Sequence, residues 1–455
     1  MRSNTFSEEA IDHRKALLFA MGVKEEEMDR PYIGIINAWN EINPGHYHFK
    51  EAIDDIKNAI REAGGLPFEI PITGICDGIC SNTPGDRYTL PSRDLVSAEI
   101  ESMVEGNQLD GMVLLGTCDK VIPGMIMAIN RLNLPSVIFT GGYMEPGSYK
   151  DKLITLTHTK QAYASYKSNL ITKEDYKAIV RNACPTPGAC PFMGTANTMC
   201  AIAEVLGLTL PGNATVKARS EEWRNMAKET GKIIVRLINE EWRPKDNIVY
   251  DSYLNAIKYV MATGGSSNTT LHVPAIAKQA GYKIDLQLFD EISKEIPLLS
   301  TIYPSHDYYS MPDFDKAGGV RAVLKELAKE EKINVDVNTI TGRLKDRIEE
   351  TLNKNEDVIR PVTNPLYPEG GIAVLRGNLA ERGAIVKFSA VKEEAYKFIG
   401  PAKVYDSEES GWNALLQDEI KAGDVVIIRY EGPKGSPGMP HLETFMTAVC
   451  GKNLD

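Results

Sequence analysis

The sequence predicts an α/β protein. An N-terminal domain over residues 1–361 carries a mainly parallel sheet flanked by helices, and a β-rich domain follows over residues 362–455. Three observations predict this. Short apolar runs alternate with amphipathic segments through the first third, as βαβ units require. Polar loops rich in reactive side chains follow three of those runs. Beyond about residue 362 the chain turns to short apolar pieces broken by glycine, proline and charge. A chain of 455 residues also exceeds what one simple core commonly serves, so two domains are the natural division.

The elements follow in order. The N-terminal MRSNTFSEEAIDHRKALLFAMG predicts an amphipathic helix, with Ile11, Leu17, Leu18 and Phe19 among charges, and has no long apolar signal core. YIGIINAW (32–39) is strand-like, and FKEAIDDIKNAIREAGG (49–65) has apolar residues at helical spacing with a glycine pair as stop signal. PFEIPITGI (67–75), GMVLLG (111–116) and PSVIFTGG (135–142) predict strands, with helices over LVSAEIESMVEGNQ (95–108) and GMIMAINRLN (124–133) between them. Residues 151–181 are polar and read as helical, and ACPTPGACPFMGTANTM (183–199) is a loop entering a helix. Residues 214–360 are helix-rich; GGIAVLRG, GAIVKFSAV, AKVYD and DVVIIRYEG supply the strands of the second domain.

A net charge of −11 argues against a general nucleic-acid binder, because neutralising phosphates requires a basic surface. No apolar run reaches the roughly 18 residues that span a bilayer. The expectation is a cytoplasmic protein with a small-molecule substrate and neither a membrane nor a nucleic-acid partner. Seven cysteines (Cys76, Cys80, Cys118, Cys184, Cys190, Cys200, Cys450) are odd in number and scattered, which suggests reduced thiols rather than a disulfide framework.

Three strand ends carry chemistry: NEINPGHYH after the first, CDGIC after the second, CDK after the third. In open α/β sheets, sites form outside the carboxyl ends of the strands, so the three loops reinforce one another. An isolated CDK is more often a structural strand end. Here Asp77 and Asp119 can converge as oxygen ligands for a hard cation such as Mg²⁺. Cys118 beside them suits iron or an iron–sulfur cluster. Cys184 and Cys190, six apart, lack zinc-ribbon spacing, but with Cys118 they can supply a cluster. GGSSNTT (264–270) marks a helix start that can hold a carboxylate or phosphate, although a plain N-cap is the commoner role. His46 and His48 are open to ligand, acid–base or surface roles, and in a strand they would point opposite ways. RYEGPKGSPGMP (429–440) is a long loop inside the β region, a length often functional.

The chain resembles the dihydroxy-acid dehydratase and phosphogluconate dehydratase family, which includes aldonic (sugar) acid dehydratases. The matching pieces, in the family's order, are NPGHYHF, CDGI, GDRYTLPSRDL, CDKVIPGMIMA, CPTPGACPFMGTANTM, GLTLPGNA, GGSSNTTLH, DFDKAGG, GGIAVLRGNLAERGAIVK and IRYEGPKGSPGMP. The resemblance implies a hydro-lyase that removes water from a 2,3-dihydroxy acid to give a 2-keto acid. It implies an iron–sulfur cluster, 2Fe-2S rather than 4Fe-4S, on Cys118 and Cys190. It implies Mg²⁺ on Asp77 and Asp119, with Lys120 carbamylated as a further ligand and catalytic residue, and Ser266 and Asn268 as substrate contacts. The branched-chain biosynthetic substrate is the first expectation and an aldonic acid the alternative; a non-catalytic or truncated member is the reading of another class. A homodimer or homotetramer is the expected assembly.

Three departures accompany the resemblance. Gly45 stands where many members have a third cluster cysteine. His441 stands where the family's last metal-binding glutamate follows PGMP, with Glu443 two residues on. A DGRxSG-like segment, whose serine takes the C2 proton in the family, is not in this sequence, so the expectation is an incomplete, barrel-like second domain.

Overall fold

The computed structural model describes residues 1–432 and 438–454. Its centre is a four-stranded parallel sheet in the order β2–β1–β3–β4. The strands are β1 (Tyr32–Asn37), β2 (Leu66–Pro71), β3 (Gly111–Leu115) and β4 (Ser136–Phe139). Every residue of β1, β3 and β4 is buried, so helices must cover both faces, as a parallel sheet requires.

Strand alternation sorts the side chains between two cores. Ile33, Ile35, Val113, Leu115, Val137 and Phe139 face α2 (Ile53–Glu62) and α9 (Glu221–Asn239), where Ile56, Ile60, Trp223 and Ile234 complete the core. Tyr32, Ile36, Met112, Leu114 and Ile138 face the opposite way, joining Val96, Ile100, Ile126 and Ile202. These come from α4 (Thr89–Asn107), α5 (Val121–Leu132) and α8 (Thr195–Val205). The strand order reverses at β1, so the loops after β1 and β3 part there and open a crevice at the carboxyl edge.

The first helix, α1 (Glu8–Ala20), begins on a Ser7 cap, but it is not amphipathic as expected. Only Leu18 is buried, while Leu17 and Phe19 are 61% and 52% exposed. Three consecutive side chains splay about 100° apart on a helix and cannot share a face. The polar stretch after β4 holds a small antiparallel pair (Gly147–Tyr149 with Lys152–Ile154), then α6 (Leu156–Lys167) and α7 (Lys173–Asn182).

Residues 362–455 contain the four expected strands, but these form no barrel among the described residues. Ala373–Gly377 pairs antiparallel with Ala380–Val386, and Ala402–Tyr405 pairs parallel with Val425–Ile428. The parallel pair requires a crossover, supplied by the helix Glu408–Leu416, which Ser407 caps. A further helix, Glu443–Gly451, lies against α6. Part of the long glycine- and proline-rich loop, 433–437, lies outside the described residues. Among the described residues no helix is long and apolar enough to cross a membrane.

Candidate metal and thiol site

The three strand-end loops meet at the crevice. CDGIC begins the one-turn helix α3 (Asp77–Cys80), and CDK leads into α5 with Lys120 at its N-cap. Lys120 Nζ donates to Asp77 Oδ2 at 2.6 Å, and both side chains are almost wholly buried. Burial works against the charge on each and is outweighed: Lys120 and His441 hold the Asp77 carboxyl down at about 2. The two aspartates in turn keep Lys120 above its usual range. Burial, then the Asp77 charge, pushes Asp119 up to about 6.

His441 reaches this pair from the far end of the chain. Its Nε2 lies 3.1 Å from Asp77 Oδ2, and its Nδ1 lies 2.7 Å from Asp86 Oδ1. The His441 backbone N–H also donates to Asp86 Oδ2, at 3.1 Å. Burial pulls the imidazole down, but the hydrogen bonds to Asp77 and Asp86 prevail and raise it to about 10. One donor atom from each of Asp77, Asp119 and His441 falls within 4.8 Å of the others. Asp77 Oδ1 is buried with no hydrogen-bond partner, the condition of an oxygen placed for a cation. Two carboxylates and an imidazole steadied by a carboxylate therefore fit a divalent ion. Glu443 points elsewhere, pairing with Lys160 at 2.8 Å.

The thiols lie on the adjoining side. Cys118 is buried, with its Sγ donating to Asn43 Oδ1 at 3.2 Å. Cys76 lies close enough for its side chain to interact with that of Cys118, a proximity its sequence position did not signal. The CPTPGAC loop arrives because the Gly188 N–H donates to Pro44 O at 3.0 Å, while Asn197 Nδ2 holds Cys190 O at 2.6 Å. Cys190 is half-buried, and Cys184 at the loop's start is exposed. The donor set, soft sulfur beside hard oxygen, fits an iron–sulfur group next to a divalent cation.

Ser266 and Asn268 stand one step back. Ser266 Oγ and Asn268 Nδ2 both meet Thr195 Oγ1, at 2.8 and 2.9 Å, and Thr195 in turn hydrogen-bonds Asp119. His46 and His48 are structural: both are buried in the one-turn segment Tyr47–Glu51 and its cap, not in a strand. His46 Nε2 accepts the Thr117 and Cys118 N–H groups at 3.0 and 3.2 Å, bracing the CDK turn, and His48 Nε2 donates to Gly141 O at 2.7 Å. Three further groups sit at the site without having been singled out. Asp86 orients His441; Arg93 Nη1 lies 3.4 Å from His272 Nδ1; the buried His272 Nε2 has no partner. All three fall inside GDRYTLPSRDL and GGSSNTTLH, so the motifs contained them, but no spacing rule marked them.

A cavity of about 290 Å³ opens beside Cys76, lined by Ile42, Ile75, Ile79, Cys80 and Tyr88.

A doubly wound parallel sheet that gathers carboxylates, an imidazole and thiols outside its carboxyl edge defines an α/β protein with a mixed hard-cation and thiol site. Residues 30–348 match the dihydroxy-acid/6-phosphogluconate dehydratase N-terminal model and residues 357–455 its C-terminal counterpart. The chain belongs to that family. It is 44% identical over 443 residues to a dihydroxy-acid dehydratase of Clostridium novyi (strain NT), covering 97% of this chain and 80% of that protein. It is 43% identical over 460 residues to the dihydroxy-acid dehydratase of Methanococcoides burtonii, covering 100% of this chain and 83% of that protein. The dihydroxy-acid dehydratase of Methanothermobacter thermautotrophicus is 42% identical over 459 residues.

Proposed function

We propose that this chain is a dihydroxy-acid dehydratase, removing water from a branched-chain 2,3-dihydroxy acid to leave a 2-keto acid. The observation that carries the reading is the placement of Asp77, Asp119 and His441, a donor set for a divalent cation, beside Cys118 and the loop of Cys190, which would hold an iron–sulfur cluster of the 2Fe-2S kind. Bound there, Mg²⁺ and cluster iron would supply Lewis acidity at the substrate's carboxylate end and at its departing 3-hydroxyl.

The chain's own groups serve that chemistry as follows. Asp77 and Asp119 offer the oxygens, and Asp86 fixes the ring of His441. Lys120, paired with Asp77, is the residue for the carbamate; a charged ammonium cannot ligate a cation, and the carbamate can. Thr195, held by Ser266 and Asn268, orients Asp119 toward the same centre. In the overall reaction the C2–H bond gives up a proton, the C3–O bond breaks, water leaves, and the enol tautomerises to the keto acid.

The cavity beside Cys76 supports the branched-chain substrate. Its isoleucines and tyrosine offer apolar surface to a branched alkyl end and few polar partners to the hydroxyls of an aldonic acid. The boundary near residue 361, the soluble cytoplasmic setting and a homodimer or homotetramer belong to the same reading, the boundary being supported by family matches that stop at 348 and resume at 357.

The test is anaerobic turnover with Mg²⁺, offering 2,3-dihydroxyisovalerate and a panel of aldonic acids and detecting 2-keto acid. Keto acid from the branched substrate is expected, with Lys120→Arg inactive because it cannot form a carbamate. Turnover of aldonic acids alone would reassign the substrate, and a cluster-loaded chain silent toward every acid would overturn the reading.

A further inference from the structure

The PGH loop has no thiol to offer the cluster, and the structure shows another one in reach. A Cβ built on Gly45 would lie 2.8 Å from Cys118 Sγ, so a side chain from the β1 loop would enter the space at that sulfur. Glycine leaves that approach without a donor. The β2 loop reaches the same sulfur: Asn43 accepts the Cys118 thiol on Oδ1 at 3.2 Å and donates from Nδ2 to Gly74 O at 3.1 Å, which brings Cys76, two residues on, to interact with the Cys118 side chain. Cys76 stands at the N-cap of α3, so the start of that helix sets where its thiol lies. Cys76 also lies near enough to Cys184 and Cys190 to act on both electrostatically.

We propose that Cys76 is the third protein ligand of the cluster, delivered by the loop after β2 in place of the side chain that Gly45 lacks. The proposal rests on the reading of Cys118 and Cys190 as cluster ligands. Each thiol releases its proton on binding, and a thiolate–iron bond forms. Three cysteines would leave one position on iron for substrate oxygen, whereas adding Cys184, exposed at the loop's start, would close it. Because Cys76 immediately precedes Asp77, one short loop would then tie the cluster to the cation site, as CDK does from β3.

The test uses the full chain loaded with cluster anaerobically, reading iron and sulfide per chain, the visible and EPR spectra, and the rate of iron loss to a chelator. Cys76→Ser is expected to shift both spectra and to lose iron at least roughly tenfold faster, since even outer partners of a metal site are worth that much. Cys80→Ser, one turn away, is expected to keep the wild-type spectra. Restoring a thiol with Gly45→Cys in the Cys76→Ser background is expected to slow iron loss again. Should Cys76→Ser not fold, alkylation of the unmutated chain decides: Cys76 is expected to be protected when the cluster is loaded and to react when it is stripped. Wild-type spectra and iron retention in Cys76→Ser, or equal alkylation with and without cluster, would overturn the proposal. A wild-type chain that takes up no cluster would instead overturn the assignment of Cys118 and Cys190, and this one with it.

Discussion

At the scale of single residues, His441 separates what the sequence signals from what only the fold reveals. Asp77, Asp119, Lys120 and Cys118 were legible because each follows an apolar run that could only be a strand, and strand ends share an edge. Asp86 and Cys76 carry no such mark: Asp86 matters because His441, 355 positions away, lands on it, and Cys76 because Cys118 does. His441 stands where the resemblance implies a carboxylate, and an imidazole is a poorer Mg²⁺ ligand. His441→Glu is therefore expected to tighten Mg²⁺ binding roughly tenfold or more, because a third carboxylate beside Asp77 and Asp86 is relieved by the cation. Asp86→Asn removes the charge that orients the ring, and Mg²⁺ binding should weaken roughly 10- to 100-fold, the usual cost of losing such a partner. Calorimetric titration of Mg²⁺ measures both. Unchanged affinity in Asp86→Asn would show that His441 needs no orienting group.

Elements that bury both faces were the easiest to read. YIGIIN, GMVLL and SVIF are continuous apolar runs because helices cover the sheet on both sides. The second unit was harder: its strands were legible as apolar runs, but their pairing was not, because EESGWNALL is too short and too polar to announce a crossover helix. Helix contacts were also invisible in the sequence, and the α4–α5 pair matters most, since α5 carries Lys120 at its start. Gly124 makes their approach possible: a Cβ there would sit 2.6 Å from Arg93 O and 2.9 Å from Val96 Cγ1. The backbone oxygen cannot yield as a side chain would. Gly124→Ala is expected to cost roughly 1–3 kcal/mol in denaturant unfolding, the range for overpacking a close-packed interface. It should also displace Arg93 from His272. A variant as stable as wild type would mean the two helices can slide apart without penalty.

For the whole molecule, the site is assembled by a contact between the two ends of the chain. Residues 30–190 supply Asp77, Asp119 and the thiols, Cys190 among them, while His441 rides two residues ahead of the helix Glu443–Gly451. That helix packs on α6 through a small core of Ala164, Phe445 and Ala448, separate from the two cores of the sheet. Polar ties run beside it: Lys160 Nζ bridges Ser81 Oγ at 2.9 Å and Glu443 Oε2 at 2.8 Å, and Ser81 Oγ meets Thr444 Oγ1 at 3.3 Å. The end of α3 is thus fastened to the start of the last helix, which sets His441 over Asp77. If this packing positions the ligand, disturbing it should weaken the cation site although no ligand is touched. Ala164→Leu adds bulk where the Ala164 Cβ already lies 3.0 Å from a Cβ built on Gly451. It is expected to cost roughly 1–3 kcal/mol and to weaken Mg²⁺ binding at the same time. Gly231→Ala is the control. Its Cβ would meet Ile56 O at 2.7 Å between α2 and α9, on the far face of the sheet, so stability should fall while Mg²⁺ affinity holds. Equal losses of affinity in both variants would trace the effect to general destabilisation, and an unchanged affinity in Ala164→Leu would mean that His441 finds Asp77 without the help of α6.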